Sequence, residues 1–275
     1  MDQIPQQVLE IIKEKYICKR TLLDRLERRV KKLREKLFGV DLSVFDKTIR
    51  YYDETKGSKI SRQEAYQKAL DKQKHKDAWD NQARETIADI MHFYQEVDIY
   101  PFRQPYLKRL GGYRWYLGLV AHITNPSVLE YGCGTAALTE HFMTYRPNGK
   151  FTVADIPSTT LDFVKWKKQA YQYPLQILTI GTGKEGIPLK ENYDLIICEN
   201  VLEHTPNPHE IVEAFTERLN HGGVLICDFI EDPGGENLQM AYEQRQAVKT
   251  ILKDRLTPLK LIDEDDTPLG LYIKT

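Results

Sequence analysis

The sequence predicts an α/β fold: a doubly wound, mostly parallel seven-stranded sheet with an antiparallel last strand, behind an N-terminal helical extension. This prediction depends first on a change of composition near residue 100. The first 99 residues contain one proline and two glycines, which favours helix. After them, glycine and proline separate short apolar runs, a pattern typical of alternating strands and helices. We therefore divide the chain into a helical extension, residues 1–98, and an α/β domain, residues 99–275.

Short apolar segments in the second part have the length and character of strands. The predicted strands are 127–130, 151–154, 176–180, 193–199, 224–230, 259–262 and 270–274. Helical segments at 136–145, 158–171 and 207–219 separate several of the first five strands. This alternation predicts right-handed βαβ units with helices on both faces of a parallel sheet. The last two strands are joined only by residues 263–269, so we expect them to form an antiparallel hairpin.

The first helix, about residues 7–38, has a heptad pattern. Its a and d positions, spaced alternately by three and four, are Leu9, Ile12, Tyr16, Lys19, Leu23, Leu26, Val30, Leu33 and Leu37. Only Lys19 breaks this apolar seam, which is typical of a coiled coil. Residues 11–37 contain eleven Lys or Arg and four Asp or Glu, a local charge of +7. The seam could pack on the protein's own second helix, bind an anionic partner or membrane surface, or mediate self-association, and we expect a homo-oligomer.

The remainder of the extension is also predicted to be helical. Ser61 and Glu64 have the spacing of a capping box. Glycine and proline are absent from residues 58–100, so we expect one long helix or two abutting helices to reach about Asp98, with Pro101 ending the last one. Aromatic residues are dense between residues 93 and 116. They either pack at the domain junction or line an acceptor pocket.

Composition and charge restrict the class of protein. The formal net charge of −1 gives the whole chain no electrostatic preference for nucleic acid. The N-terminus lacks the features of a secretory signal, and no apolar run is long enough to span a membrane. The four cysteines are widely spaced, which disfavours a disulfide framework and a zinc site. We expect a cytoplasmic protein without a metal or a transmembrane segment, and we interpret the acidic run 263–266 as a solvated turn.

A glycine-rich turn follows the first predicted strand. Residues 128–137 read V-L-E-Y-G-C-G-T-A-A, in which Gly132 and Gly134 permit a tight turn and close approach of a ligand to the backbone. The following helix start offers free N–H groups at the carboxyl edge of the sheet, where such folds bind ligands. The turn also fits the G-x-G-x-x-A fingerprint of dinucleotide-binding proteins. Asp155, about twenty residues further on, is consistent with either kind of cofactor site.

Three further features separate these alternatives. Glu130 directly precedes the glycine turn, residues 193–204 read Y-D-L-I-I-C-E-N-V-L-E-H, and the chain closes with the strand hairpin. Together they resemble the class I S-adenosylmethionine-dependent methyltransferase superfamily, especially its small-molecule branch. Its first motif is similar to L-E-x-G-C-G-T-G, and its fourth strand leads into N-V-L-E-H. The resemblance covers about residues 113–275. It implies a Rossmann-like methyltransferase fold, methyltransferase activity and S-adenosyl-L-methionine as the cofactor.

The resemblance also implies roles for individual residues around the cofactor. Glu130 would approach the ammonium of its methionine part or order the glycine turn, and Asp155 would accept the ribose hydroxyls. Ile156 would pack on the adenine, and Glu199 and Asn200 would lie near the sulfonium. The turn backbone would contact the carboxylate end and the ribose through Tyr131, Gly132, Cys133 and Gly134.

Two positions depart from the family pattern. Ala136 stands where the family often has a third glycine. The loop after the third predicted strand has no aspartate for the adenine amine, so Thr182 or a backbone carbonyl would take that role. His204, after the tip of the fourth predicted strand, is our candidate for a general base. Alternatively, Glu203 and His204 brace the following turn.

The resemblance predicts a methyltransferase that acts on a small molecule or glycan, with a hydroxyl as the expected methyl acceptor. A likeness of residues 155–166 to methyltransferases of cell-surface polysaccharide or other secondary-metabolite gene clusters favours a sugar or small polar acceptor. An RNA or protein methyltransferase that binds through the basic helix is the alternative, although the N/D-P-P-Y/F and Pro-Cys motifs of nucleic-acid enzymes are absent. A non-catalytic cofactor-binding assembly protein is another alternative. An NAD-dependent oxidoreductase is disfavoured by residues 199–204 and the hairpin.

Overall fold

The computed structural model describes residues 18–81, 86–108, 114–181, 187–228, 237–264 and 267–275. Its helices are α1 Cys18–Phe38, α2 Asp46–Lys56, α3 Arg62–Leu70, α4 Lys72–Asp80, α5 Ile87–Glu96, α6 Tyr100–Lys108, α7 Arg114–Leu119, α8 Ala137–Tyr145, α9 Thr159–Ala170, α10 Pro208–Arg218, α11 Gln239–Glu243 and α12 Arg245–Arg255. Its strands are β1 Ser127–Tyr131, β2 Lys150–Asp155, β3 Leu175–Thr179, β4 Tyr193–Cys198, β5 Leu219–Asp228, β6 Thr257–Glu264 and β7 Thr267–Ile273. None of the helices in these ranges combines the length and apolarity that crossing a membrane requires.

The seven strands form one sheet in the order β3-β2-β1-β4-β5-β7-β6. Neighbouring strands among β1 to β5 are parallel. Strand β7 is antiparallel to both β5 and β6. The doubly wound sheet and its terminal hairpin are therefore confirmed, and the hairpin closes where Glu264 faces Thr267. Because the strand order reverses between β1 and β4, a crevice opens at their carboxyl ends.

Helices cover both faces of the sheet. In β4, Leu195 and Ile197 belong to a buried cluster that includes residues of α8 and α9. The alternate residues Ile196 and Cys198 belong to a second cluster, with residues of α10 and α12. Side chains of a strand alternate between faces, so a strand buried on both sides is apolar almost throughout. This explains the unbroken apolar run that made β4 recognisable in the sequence.

The extension is helical, but the prediction of one or two continuous helices up to Asp98 is wrong. The described residues contain α3, α4 and α5 instead. The predicted capping box of Ser61 and Glu64 begins α3. A second capping box, of Thr86 and Asp89, begins α5 and fixes a new helix start. Pro101 does not end a helix, because it lies in the first turn of α6, where a missing backbone N–H costs no hydrogen bond.

Two aromatic clusters join the extension to the α/β part. In the first, Phe45 and Tyr51 pack with Phe102 of α6 and Phe163 of α9. The second cluster is Trp79, Ile90, Phe93, Leu238 and Ala241, which brings α4 and α5 against α11. Much of the aromatic density of the sequence thus serves packing. The same packing holds α5 and α6 above the carboxyl edge of the sheet.

The seam of α1 is exposed in the described part of the chain. Its members Leu26, Val30, Leu33 and Leu37 are each between 57% and 65% exposed. These four side chains are therefore not covered by the protein's own second helix, which was one interpretation of the heptad pattern. Lys19, the one charged residue of the predicted seam, also lies in α1.

Candidate functional site

The glycine turn connects β1 to α8 through residues with positive φ. Gly132 and Gly134 have φ of 68° and 52°. A Cβ atom at Gly132 would overlap the side chain of Val201, and one at Gly134 would overlap that of Gln104. Ala136, which replaces the family's third glycine, also adopts a left-handed conformation, with φ of 52°. The two glycines are thus required by the close approach of other protein segments as well as by the turn itself.

Asp155 ends β2 directly beside this turn. Its Oδ2 accepts a hydrogen bond from the Gly134 N–H (2.7 Å), and its Oδ1 accepts one from the Ile156 N–H (2.8 Å). Burial raises the pKa of Asp155 to about 6, although both backbone N–H groups oppose the shift. Each oxygen keeps a lone pair for a further donor. The carboxylate therefore both fixes the turn and offers two acceptors to a ligand.

Glu130 is buried beneath the start of α8. Its Oε2 accepts hydrogen bonds from the Thr139 N–H (3.0 Å) and the Thr139 Oγ1 (2.5 Å). Burial raises its pKa to about 7, whereas the nearby positive charge of Lys108 lowers it. These contacts tie the end of β1 to α8. They are the contacts that the loop-ordering role implied by the resemblance would use.

The tip of β4 presents polar groups to the same crevice. The Tyr116 hydroxyl donates to the Glu199 carboxylate. Asn200 has a φ of 55°, and its N–H donates to Asp228 Oδ1 at 2.7 Å. Burial, reinforced by the nearby Glu203, raises the pKa of Asp228 to about 8. This hydrogen bond fixes the elbow after β4.

His204 ends a 3-10 turn, Leu202–His204, at the mouth of the crevice. Its ring lies edge-on to Trp79, with 6.4 Å between ring centroids. Its Nε2 is 3.7 Å from the Oε1 of Glu203. Glu203 itself is buried, and neither of its carboxylate oxygens has a hydrogen-bond partner among the described residues. Burial raises the pKa of Glu203.

One cavity of about 440 Å³ brings the predicted site residues together. It is lined by Glu130, Tyr131, Gly132, Cys133, Gly134, Asp155, Ile156, Glu199, Asn200 and His204. Thr182 lies outside the described residues. The volume is within the range of ligand and cofactor sites. Within the described ranges, no group of three or more histidine, cysteine, aspartate or glutamate side chains is arranged to hold a metal ion.

The opposite wall of the cavity was not predicted. It is formed by residues of α5 and α6, namely Ile90, Met91, Tyr94, Tyr100, Arg103, Gln104, Leu107 and Lys108. The five residues from α6 lie on one helix face, because they recur at intervals of three and four. The Gln104 Oε1 accepts a hydrogen bond from the Thr135 N–H at 2.6 Å. The aromatic density noted in the sequence was the only available signal, and it did not single out Gln104 or the two cations.

Residues 129–225 match a family model described as a methyltransferase domain. The ubiquinone biosynthesis O-methyltransferase of Hydrogenovibrio crunogenus is 22% identical over 157 residues, which cover 55% of this chain and 64% of that protein. The malonyl-[acyl-carrier protein] O-methyltransferase of Anoxybacillus flavithermus is 26% identical, with 48% of this chain and 51% of that protein covered. This chain thus spans less than two thirds of the length of either relative.

Among solved structures, the N-methyltransferase NodS of Bradyrhizobium japonicum in complex with S-adenosyl-l-homocysteine is similar with a TM-score of 0.48. It is 18% identical, with 67% of this chain and 96% of that chain covered. The strand order, the glycine turn and the matched family model together define the class. Residues 129–225 therefore form a domain of the class I S-adenosylmethionine-dependent methyltransferases, whose cofactor is S-adenosyl-L-methionine.

Proposed function

We propose that this chain transfers the methyl group of S-adenosyl-L-methionine to a hydroxyl of a small molecule or glycan. The observation that carries the proposal is the cavity at the carboxyl edge of β1, β2 and β4, whose lining includes Asp155, Glu199 and His204. Both sequence relatives named above are O-methyltransferases, which favours oxygen as the methyl acceptor. When bound, the cofactor supplies an electrophilic methyl group on a sulfonium sulfur.

The residues present fit this cofactor in their chemistry. Asp155 would accept the two ribose hydroxyls, and Ile156 would pack on the adenine. Glu130, Glu199 and Asn200 would surround the positively charged amino and sulfonium groups, next to the backbone of residues 131–134. Methyl transfer needs no covalent intermediate, so the contribution of the protein is orientation, which can supply about 7–11 kcal/mol.

A hydroxyl acceptor benefits from a general base, and His204 is our candidate. It lines the cavity beyond Glu199, and the buried Glu203 carboxylate lies beside its ring. Accepting the hydroxyl proton on the ring would place a positive charge next to that carboxylate. A positioned base contributes about 10²–10⁴-fold in rate.

Calorimetric titration with S-adenosylhomocysteine, followed by competition with NAD, tests the cofactor assignment. We expect tight binding of the first and no displacement by the second. Transfer of a radiolabelled methyl group in a cell extract then tests the acceptor class. Label in the small-molecule or glycan fraction supports the proposal. Label in RNA or protein would favour the alternative acceptors, and binding without turnover in any extract would favour a non-catalytic assembly protein.

We also propose that the protein forms a homo-oligomer through the seam of α1. Leu26, Val30, Leu33 and Leu37 expose a regular apolar stripe, and such a stripe must be buried to stabilise a helix. In a parallel pair, Arg29 at g faces Arg34 at e of the other copy, and these like charges repel. Association should therefore strengthen as salt screens them.

Light scattering of the full chain and of a chain lacking residues 1–39 tests this assembly. Truncation, or Leu26→Glu within the seam, should reduce the oligomeric state. Arg34→Glu should strengthen association at low salt, whereas Lys32→Glu, on the outer face of the same helix, is the matched control. The same oligomeric state before and after truncation would contradict self-association. Binding of an anionic partner or membrane surface would then be the remaining interpretation of the seam.

We expect the protein to act in the cytoplasm. Cys133, Cys198 and Cys227 are all buried and free, which suits a reducing compartment.

A further inference from the structure

The carboxamide of Gln104 lies directly against the glycine turn. Its Oε1 accepts a hydrogen bond from the Thr135 N–H at 2.6 Å. Its side-chain atoms, Nε2 among them, occupy the space that a Cβ at Gly134 would need. Gln104 belongs to α6, so a side chain from a helix outside the sheet covers the backbone of Gly134 and Thr135, which a ligand could otherwise contact. The Thr135 N–H is therefore already used.

The two walls of the cavity differ in the groups they offer. On the α6 side, Arg103, Gln104 and Lys108 contribute two cations and an amide donor. On the β1 and β4 side, Glu130 and Glu199 contribute carboxylates. Lys108 is close enough to Glu130 to lower the pKa of that carboxyl. An α-amino acid, with one carboxylate and one ammonium, is complementary to such a pair of walls.

We infer that Gln104 is a binding residue for the α-carboxylate of the methionine part of the cofactor. The inference rests on the proposed function and assigns a role within that site. Oε1 keeps its hydrogen bond from the Thr135 N–H, and this anchors the carboxamide so that only Nε2 is available to a ligand. Nε2 carries two donor hydrogens and cannot accept. It therefore selects a carboxylate and rejects the ammonium, which must face Glu130 and Glu199.

This assignment changes how the glycine turn takes part in binding. The family resemblance implied that the turn backbone contacts the carboxylate end. In this chain, the N–H groups of Gly132, Cys133 and Gly134 are bonded to Ala154 and Asp155. The next N–H, that of Thr135, is bonded to Gln104, whose amide presents a donor to the ligand instead. The turn contributes indirectly there, by holding the carboxamide in one orientation.

Two ligands separate this role from simple bracing of the turn. S-adenosylhomocysteine has the amino acid part, whereas 5′-deoxy-5′-methylthioadenosine has the same nucleoside and sulfur without it. Gln104→Glu keeps an acceptor for the Thr135 N–H but replaces the donor by a second oxygen. We expect it to weaken binding of S-adenosylhomocysteine about 10- to 150-fold, the range of a hydrogen bond to a charged group, and to leave binding of methylthioadenosine unchanged.

Gln104→Leu, which removes both polar atoms, should weaken S-adenosylhomocysteine and change methylthioadenosine much less. Gln63→Glu, at an exposed position of α3, is the matched control for an added charge and should change neither. Equal losses for both ligands, or no loss for either, would overturn the assignment of Gln104. If the wild-type chain bound neither ligand, the proposed function would fail, and this inference would fail with it.

Discussion

The state of charge of Asp155 should control cofactor affinity. Its two oxygens accept hydrogen bonds from the Gly134 and Ile156 N–H groups at 2.7 and 2.8 Å. The role that we propose for it, accepting two ribose hydroxyls as well, requires it to be ionised. In Asp155→Asn, one oxygen becomes an NH₂ group that faces a donor. Losing one hydrogen bond to a charged group costs about 1.5–3 kcal/mol, so S-adenosylhomocysteine should bind roughly 10- to 150-fold more weakly.

The pH dependence provides a second readout. Because burial raises the pKa of Asp155 to about 6, the wild-type affinity should be fully present above that pH and fall about tenfold per unit below it. Asp155→Asn should lack this fall. Glu130, with a pKa of about 7, titrates in the same cavity, but it is present in both the wild type and Asp155→Asn, so its contribution cancels in the comparison. Asp162→Asn, at an exposed position of α9, is the control for loss of a carboxylate. Calorimetric titration with S-adenosylhomocysteine between pH 5 and pH 8 measures this dependence. The same change of affinity with pH in the wild type and in Asp155→Asn would refute the reasoning.

Three other substitutions test the remaining groups. Gly132→Ala should lower the melting temperature more than Gly57→Ala. Both glycines have positive φ, but only at Gly132 would the added Cβ atom overlap a neighbour, Val201. Equal decreases in melting temperature would contradict the close approach of Val201. Asp228→Asn should raise the free energy of unfolding at pH 9 and flatten its decline between about pH 4 and pH 8, because Asp228 ionises near pH 4 in the unfolded chain but stays protonated up to about pH 8 in the folded one. Asp254→Asn, at an exposed site, should change neither. His204→Ala should lower kcat about 10²–10⁴-fold with little change in cofactor affinity, and retained activity would return His204 to a bracing role.

The sheet and the glycine turn were predictable because their signals are local. Apolar runs of strand length, the spacing of Gly132 and Gly134, and the short final link each specify structure within about ten residues. The division of residues 58–98 into the described helices α3, α4 and α5 was missed, although its signal is also local. The second capping box uses Thr86 and Asp89, a pairing weaker than Ser with Glu, and it lies in a stretch free of glycine and proline.

The parts of the site that were not predicted depend on distant contacts. Gln104 reaches Thr135 across 31 positions of sequence, and Asp228 reaches Asn200 across 28. Neither pair has a periodic or compositional signal, because each exists only once α6 lies over the sheet and β5 lies beside β4. The raised pKa of Asp228 likewise results from burial that no single segment determines.

Two contacts between helices distant in sequence meet at Thr135. Gln104 of α6 accepts from its N–H, and Lys167 of α9 donates to its carbonyl oxygen at 2.5 Å. Lys167 is almost fully buried and pairs with Glu140, which also pairs with Lys47 of the extension. Removing one member of a buried ion pair leaves an uncompensated charge, which costs about 3–5 kcal/mol. The glycine turn is therefore held from both sides by helices far apart in sequence. It follows that the change of composition near residue 100 does not mark the limit of the residues that shape the cofactor site.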